Sequence, residues 1–175
     1  MKNLLILVLS ICTILPANAG IITGGIEYNT NSAREELNRT EPVKIPEDLL
    51  YANIKDKNKD ENLSNLLKGE TELVDRTLAY FSDGSYGVIY KKDTAHVWYY
   101  NNRGELTHAE VKNSLKYPYK TYKYSKDNRL VNMSLRISKN ETYIFNPDGK
   151  LIARWLGKYC YDENNNIVMS RKILE

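Results

Sequence analysis

The chain has 175 residues, with 25 Lys and Arg side chains against 22 Asp and Glu side chains and a formal net charge of +3. Such a weak charge, with no dense Lys/Arg stripe, argues against nucleic acid as the main partner. The length suffices for one domain with a substantial hydrophobic core.

The first nineteen residues have the layout of a secretory signal peptide. Lys2 supplies a positive charge, residues 4–15 are nearly all apolar, and small residues occupy both key positions of Ala17-Asn18-Ala19. We therefore expect cleavage after Ala19 and a secreted or periplasmic mature protein. The apolar run is shorter than the ~20 residues needed to cross a bilayer, so no membrane span is expected after cleavage.

Cleavage removes Cys12 and leaves Cys160 as the only cysteine of the mature chain. A single cysteine cannot form an internal disulfide, so the hydrophobic core must stabilise the fold alone. We interpret Cys160 as a small buried strand residue, the alternatives being a reactive thiol or an intermolecular bridge.

Residues 20–72 are predicted to be an irregular segment with short helices that pack on the rest of the chain. Residues 32–35 form a capping box, and residues 46–50 combine a proline with two acids, as in the first turn of a helix. A third short helix is predicted over residues 60–67. The charged run at residues 55–61 is expected to be solvated.

Residues 73–175 are predicted to form a mainly β domain. Val131, Met133, Leu135 and Ile137 alternate with polar residues, as in a strand with one buried face. The short connections leave no room for crossover helices, which favours an antiparallel meander. About nine strands are expected, at residues 73–81, 86–92, 95–100, 105–111, 118–124, 129–137, 140–146, 150–161 (with a break at Gly157) and 166–173.

One turn pattern occurs five times in this domain. An aromatic residue is followed four positions later by Gly or Asn and six positions later by an aliphatic or aromatic residue. The aromatic residues are Tyr80, Tyr100, Tyr124, Phe145 and Tyr161, spaced 16 to 24 residues apart. Recurrence at this spacing predicts an internal repeat of short hairpins. Gly and Asn tolerate a positive φ, so each aromatic residue is expected to pair across strands with the residue six positions on.

Two of these units, Tyr124-Ser125-Lys126-Asp127-Asn128-Arg129-Leu130 and Tyr161-Asp162-Glu163-Asn164-Asn165-Asn166-Ile167, resemble YD repeats of RHS proteins. They also resemble the short β-repeats of YwqK-type antitoxin proteins. The resemblance covers residues 73–173 and implies a sheet built from repeated hairpins. RHS repeats build shells that enclose a toxin, and this chain is too short to do so.

The sequence contains few candidates for catalysis. His96 and His108 lie on neighbouring predicted strands and could be combined with Cys160 or Glu110, but the spacing matches no known triad or metal motif. Turn propensity explains the Asp and Asn residues of the turns without calcium. No catalytic residue, metal site or cofactor is therefore predicted. A hydrolase built on His96 or His108 is the least favoured alternative.

Aromatic side chains are the remaining candidates for a binding site. Neighbouring strand residues face opposite sides of a sheet, so these rings cannot all be buried unless both faces are covered. Some are therefore expected at the surface, the alternative being that helices cover one face while tyrosines pair on the other. The candidate binding residues are Trp98, Tyr100, Tyr119, Tyr122 and Tyr124.

The preferred hypothesis is an exported, non-enzymatic scaffold that binds an unknown protein in the envelope or medium through an aromatic face or an edge strand. The alternative is a carbohydrate- or cell-wall-binding module. Residues 98–104, Trp-Tyr-Tyr-Asn-Asn-Arg-Gly, are similar to units of choline-type cell-wall-binding repeats, which hold sugars or choline between aromatic rings. Coplanar exposed rings in the structure would favour the glycan-binding module, and a flat apolar patch would favour the protein-binding scaffold.

Overall fold

The computed structural model describes residues 21–23, 26–28, 30–39, 41–59 and 73–174. The predicted signal peptide and the predicted helix at residues 60–67 lie outside the described residues. Two short antiparallel strands come first, β1 (Ile21–Thr23) and β2 (Ile26–Tyr28).

Two helices follow, at the positions where the sequence predicts the first two. They are α1 (Thr30–Asn38), which begins ahead of the predicted capping box, and α2 (Glu47–Ala52), which begins directly after Pro46. Proline is suited to a helix start because its fixed φ matches the helix and it has no N–H to satisfy. Among the described residues, no helix has the length and apolar character needed to cross a membrane.

Ten further strands form one closed antiparallel barrel in which each strand pairs with the next in chain order. They are β3 (Arg76–Phe81), β4 (Tyr86–Tyr90), β5 (Asp93–Tyr100), β6 (Leu106–Lys112), β7 (Tyr119–Ser125), β8 (Leu130–Ser138), β9 (Glu141–Phe145), β10 (Leu151–Leu156), β11 (Tyr159–Asp162) and β12 (Ile167–Leu174). The predicted mainly β antiparallel meander is confirmed.

The strand count differs from the prediction at one segment, and this segment determines how the barrel closes. Residues 150–161 were predicted as one strand with a break at Gly157. Instead, Gly157 adopts a φ of +58° and forms a two-residue turn, across which Leu156 pairs with Tyr159. Successive strands of a meander alternate in direction, so only an even number lets the last strand run antiparallel to the first. The pairing of β12 with β3 leaves no open sheet edge in the barrel.

The five predicted turns lie at one end of the barrel, here called the turn end. The residue four positions after each repeat's aromatic residue has a positive φ. These residues are Gly84, Gly104, Asn128, Gly149 and Asn165. The predicted cross-strand pairs are confirmed, as Tyr80–Tyr86, Tyr100–Leu106, Tyr124–Leu130, Phe145–Leu151 and Tyr161–Ile167. The opposite end, here called the far end, carries the connections after β4, β6, β8 and β10.

The larger hydrophobic core lies on the outside of the barrel. Residues 30–59, here called the strap, pack Leu37, Ile45 and Leu50 against the outer face of the sheet, and Leu73 joins them. The outward residues buried in this core include Leu78, Val88, Trp98, Tyr100, Val111, Tyr122, Leu135, Ile137, Tyr143 and Phe145. Burial of these side chains supplies the main driving force for folding.

Polar contacts fasten the strap to the outer face. Lys120 forms an ion pair with Glu36 of α1 at 3.1 Å, and the Tyr124 hydroxyl donates to the Val43 carbonyl at 2.7 Å. In the charged run, Lys55, Lys57 and Lys59 are exposed as expected, whereas Asp56 is partly buried. Asp56 accepts a hydrogen bond from the Tyr86 hydroxyl at 2.8 Å. The strap passes beside the turn end, where exposed backbone and hydroxyl groups provide partners for its polar residues.

Candidate functional site: a cationic cavity inside the barrel

The barrel encloses a cavity of about 1080 Å³ that is lined by residues from all ten of its strands. Side chains just fill an eight-stranded barrel, and a larger barrel leaves room for a ligand or channel. The volume lies near the upper end of the roughly 300–1,000 Å³ typical of small-molecule sites. The cavity is therefore large enough to hold a small molecule.

Positive side chains dominate the lining of this cavity. The six cationic residues are Lys112, Lys123, Arg136, Lys139, Lys158 and Arg171, whereas the carboxylates are Asp83 and Glu110. Burying a charge is costly unless it is paired, and clefts lined by one sign of charge concentrate ions of the opposite sign. The lining therefore favours an anionic occupant.

Five of the six cations lie at the far end of the barrel. Lys139 and Lys158 belong to its connections, and Lys112 is the last residue of β6. Arg136 donates to the Lys139 carbonyl at 3.3 Å, and Arg171 donates to the Gly157 carbonyl at 3.1 Å. These five side chains are here called the cationic mouth. Asp83 lies in the turn after β3, where the neighbouring Ser82 donates a backbone hydrogen bond to Ser170 at 3.0 Å.

Aromatic rings lie within cation–π range of five of the six lining cations, including Lys123, Arg136 and Arg171. The Lys123 ammonium lies 3.8 Å from the Tyr99 ring centroid, and the Arg171 guanidinium lies 4.5 Å from the Trp155 centroid. The Arg136 guanidinium lies 6.0 Å from the Tyr119 ring, within cation–π range.

These three cations are available to form ion pairs with a bound anion. None of them forms an ion pair with a carboxylate in the part of the chain that the structure describes. The Nε atom of Arg136 is buried and has no hydrogen-bond partner there. A buried donor without a partner is costly, so a bound anion would relieve this cost.

Glu110, the carboxylate nearest Lys123, is engaged by a tyrosine. The Tyr99 hydroxyl donates to Glu110 at 3.0 Å. Burial and the neighbouring Glu110 charge both hold the pKa of Tyr99 well above its usual value, so the phenol stays neutral and remains a donor.

Burial also disfavours positive charge within the lumen. Desolvation lowers the pKa of Lys123, although the nearby Glu110 opposes that shift, and desolvation likewise lowers the pKa of Lys112. Burial and the Lys123 charge lower the pKa of His108 from its ordinary 6.5, which keeps this imidazole neutral at pH 7. A bound anion would oppose these shifts by stabilising the charged lysines.

An apolar wall faces the cationic strands β6 to β8 across the cavity. Phe81, Trp155 and Cys160 are its buried members, with Ile144 and Met169 packed against them. The ring centroids of Phe81 and Trp155 are 6.0 Å apart. These residues belong to β3 and β9 to β12, so the buried apolar lining lies on one side of the cavity, where Arg171 of β12 borders it.

The structure places none of the five predicted binding residues at the surface. Trp98, Tyr100, Tyr119, Tyr122 and Tyr124 are between 0% and 6% exposed. The expectation that these five rings are exposed is therefore corrected, because the strap covers the outer face and barrel closure covers the inner face. Tyr119 alone among the five lines the cavity.

The structure separates His96 from the other candidate catalytic residues, whereas His108, Glu110 and Cys160 all line the cavity. His96 faces outward, where it stacks on Trp98 and contacts Asp93 at 2.8 Å, whereas His108 faces the cavity. The structure confirms that Cys160 is buried, and burial raises the pKa of its thiol. Among the described residues, no group of three or more His, Cys, Asp or Glu side chains is placed to hold a metal.

The functional residues that sequence reasoning missed lie on the polar sides of the strands. His108, Glu110 and Lys112 alternate with Ala109 and Val111, a pattern also expected of a sheet with one solvated face. A barrel with a polar interior has the same alternation, so the pattern could reveal the polar face but not that this face is enclosed.

No protein-family model matches this chain, and no similar curated protein or solved structure was found. The resemblance to YD and YwqK-type repeats stays a prediction.

Proposed function

We propose that the protein is an exported, non-enzymatic binding protein that holds a small anionic molecule inside its barrel. The observation that carries this proposal is the lining of the cavity, in which Lys123, Arg136 and Arg171 have aromatic neighbours but no carboxylate ion pair among the described residues.

The location of the main hydrophobic core supports a functional role for these cations. The strap and the outer face bury the larger apolar cluster, which does not include the charged residues of the lumen. Replacing buried charges by apolar groups of similar volume is often neutral or stabilising. A ligand that needs these cations would explain why charged residues occupy the lumen.

A protein-binding scaffold is the second candidate, and its surface is the outer face of β10 to β12. Ile152 and Val168 on that face are 38% and 56% exposed. Exposed apolar side chains on one sheet face fit a protein interface better than a glycan site, which needs stacked rings.

The first test compares two fluorescent probes of similar shape on the secreted chain. 1-Anilinonaphthalene-8-sulfonate carries a sulfonate, and N-phenyl-1-naphthylamine has the same rings without it. We expect saturable binding of the sulfonate probe and weaker binding of the neutral one, because the cations of the cavity recognise the anionic group.

Arg136→Gln tests whether the cavity is the binding site. Losing a charged hydrogen bond of about 1.5–3 kcal/mol weakens sulfonate binding roughly tenfold or more. The matched control is Arg129→Gln, which removes an exposed arginine at the turn end. Near-UV circular dichroism checks that each variant is folded, because partly unfolded proteins also bind the sulfonate probe. Unchanged affinity in a folded Arg136→Gln variant would contradict the proposal.

A further inference from the structure

We propose, resting on the function above, that the natural ligand is an amphipathic carboxylate. Its head group lies at the cationic mouth, and its alkyl or aryl body lies along the apolar wall. The juxtaposition of these two surfaces in one cavity carries this inference.

The mouth is suited to a carboxylate in both geometry and charge. Arg136 and Arg171 each carry a planar guanidinium, which can donate two parallel hydrogen bonds to one carboxylate. Each donates one bond to a backbone carbonyl of the connections nearby, at Lys139 and at Gly157, which holds the two guanidinium groups at this end. The exposed Lys139 and Lys158 at the rim attract an approaching anion.

The apolar wall extends the site away from the mouth. Trp155 stacks against Arg171 close to the mouth, and its neighbour Phe81 ends β3 at the turn end. Phe81 in turn stacks on Tyr99 at a centroid distance of 6.1 Å. Phe81 is also the cross-strand partner of Arg171, so the wall begins beside the mouth and continues through Phe81 to Tyr99.

The apolar wall is not fully packed and leaves apolar surface facing the cavity. Ile144 and Met169 keep partial exposure although they belong to the wall. Displacing water from apolar surface contributes about 0.8 kcal/mol per buried CH₂ group, which is roughly fourfold in affinity. An anion with an apolar tail would therefore bind more tightly than a small hydrophilic anion.

The test is a titration calorimetry series on the secreted chain with acetate, hexanoate, decanoate and decan-1-ol. We expect affinity to rise at least a hundredfold from acetate to decanoate, and decan-1-ol to bind at least tenfold more weakly than decanoate. Equal affinities for acetate and decanoate would overturn the amphipathic ligand while leaving the anion site standing. Absence of binding by the sulfonate probe and by every carboxylate would overturn both proposals.

Two matched substitutions test where the apolar tail of the ligand binds. Ile144→Thr replaces a wall side chain that faces the cavity, and Ile152→Thr replaces an exposed side chain on the outer face of the neighbouring strand. We expect Ile144→Thr to weaken decanoate binding severalfold without affecting acetate, and Ile152→Thr to change neither. Equal effects of the two substitutions on decanoate would overturn the placement of the tail.

Discussion

The two faces of this barrel differ in a way that reverses the usual arrangement of a small β-protein. On the outside, Trp98, Tyr122 and their neighbours are sealed under the strap and form the main hydrophobic core. On the inside, Lys123 and Arg136 line an open cavity together with an apolar wall. The same strands supply both faces through alternate residues.

This difference separates stability from function. A core on the outside lets the lumen carry charges and empty volume that a central core could not tolerate. We therefore expect substitutions outside to affect folding strongly, and substitutions inside to affect ligand binding more than folding. The following predictions test this division, from the largest expected effect to the smallest.

The largest difference is expected between the two tryptophans. Trp98→Ala leaves a cavity in the outer core and should lower the free energy of unfolding by about 3–5 kcal/mol. Trp155→Ala should have a clearly smaller effect, because the ring of Trp155 borders a cavity that already exists. Urea denaturation of both variants measures the two values. Equal losses would show that the lumen is as important for folding as the outer core.

A second pair removes one tyrosine hydroxyl from each face. Tyr86→Phe breaks the hydrogen bond to Asp56 that ties the strap to the barrel, and should cost about 1–2 kcal/mol. Tyr99→Phe breaks the bond to Glu110 and should cost less, because cavity water can solvate that carboxylate instead. Both free energies come from denaturant titration. A larger loss for Tyr99→Phe would contradict an accessible lumen.

Removing one lumenal charge is expected to stabilise the protein. Desolvation lowers the pKa of Lys123, which means that the folded state disfavours its charge. Lys123→Met should therefore raise the free energy of unfolding by about 1 kcal/mol and weaken binding of the sulfonate probe. The control is Lys126→Met, which removes an exposed lysine of the next turn and should change neither quantity. Destabilisation by Lys123→Met would show that this cation supports the fold.

The smallest effect concerns pH and His108. Its pKa is lowered in the folded state, so the unfolded chain binds the proton more readily as the pH falls below about 6.5. The contribution of His108 is present above that value and is lost as the pH falls towards its folded-state pKa. His108→Gln should reduce the loss of stability between pH 7.5 and pH 5, measured by urea denaturation at each pH. An unchanged pH dependence would indicate that cavity water fully solvates the imidazole.

Much of the fold was predictable because it depends on local chemistry. Positive φ at Asn128 and Asn165 follows from the tolerance of Asn for that conformation, and strand alternation follows from the pleat. The helix start at Pro46 is local in the same way. The sequence also predicted an interruption of the strand at Gly157. It could not distinguish a bend from a full reversal of the chain, because glycine is suited to both.

The candidate site was not predictable in the same way. The sequence analysis selected Trp98 and Tyr122 as binding residues, yet both belong to the core under the strap. Lys123 and Arg136 line the cavity, but their sequence pattern is equally typical of a solvated strand face. Which face of a sheet becomes the inside depends on the direction in which the sheet curls and on what covers the other face. Both depend on contacts between distant parts of the chain, such as Lys120 with Glu36.

The sequence by itself determined the hairpins, their turns and their cross-strand pairs, because each depends on residues a few positions apart. Only the tertiary structure decided that β12 pairs with β3 and that the polar face is enclosed. Closure joins strands about 90 residues apart, as Arg171 with Phe81, and no local pattern carries that information. The cationic cavity exists only after this closure, because it is built from residues of every strand in the barrel.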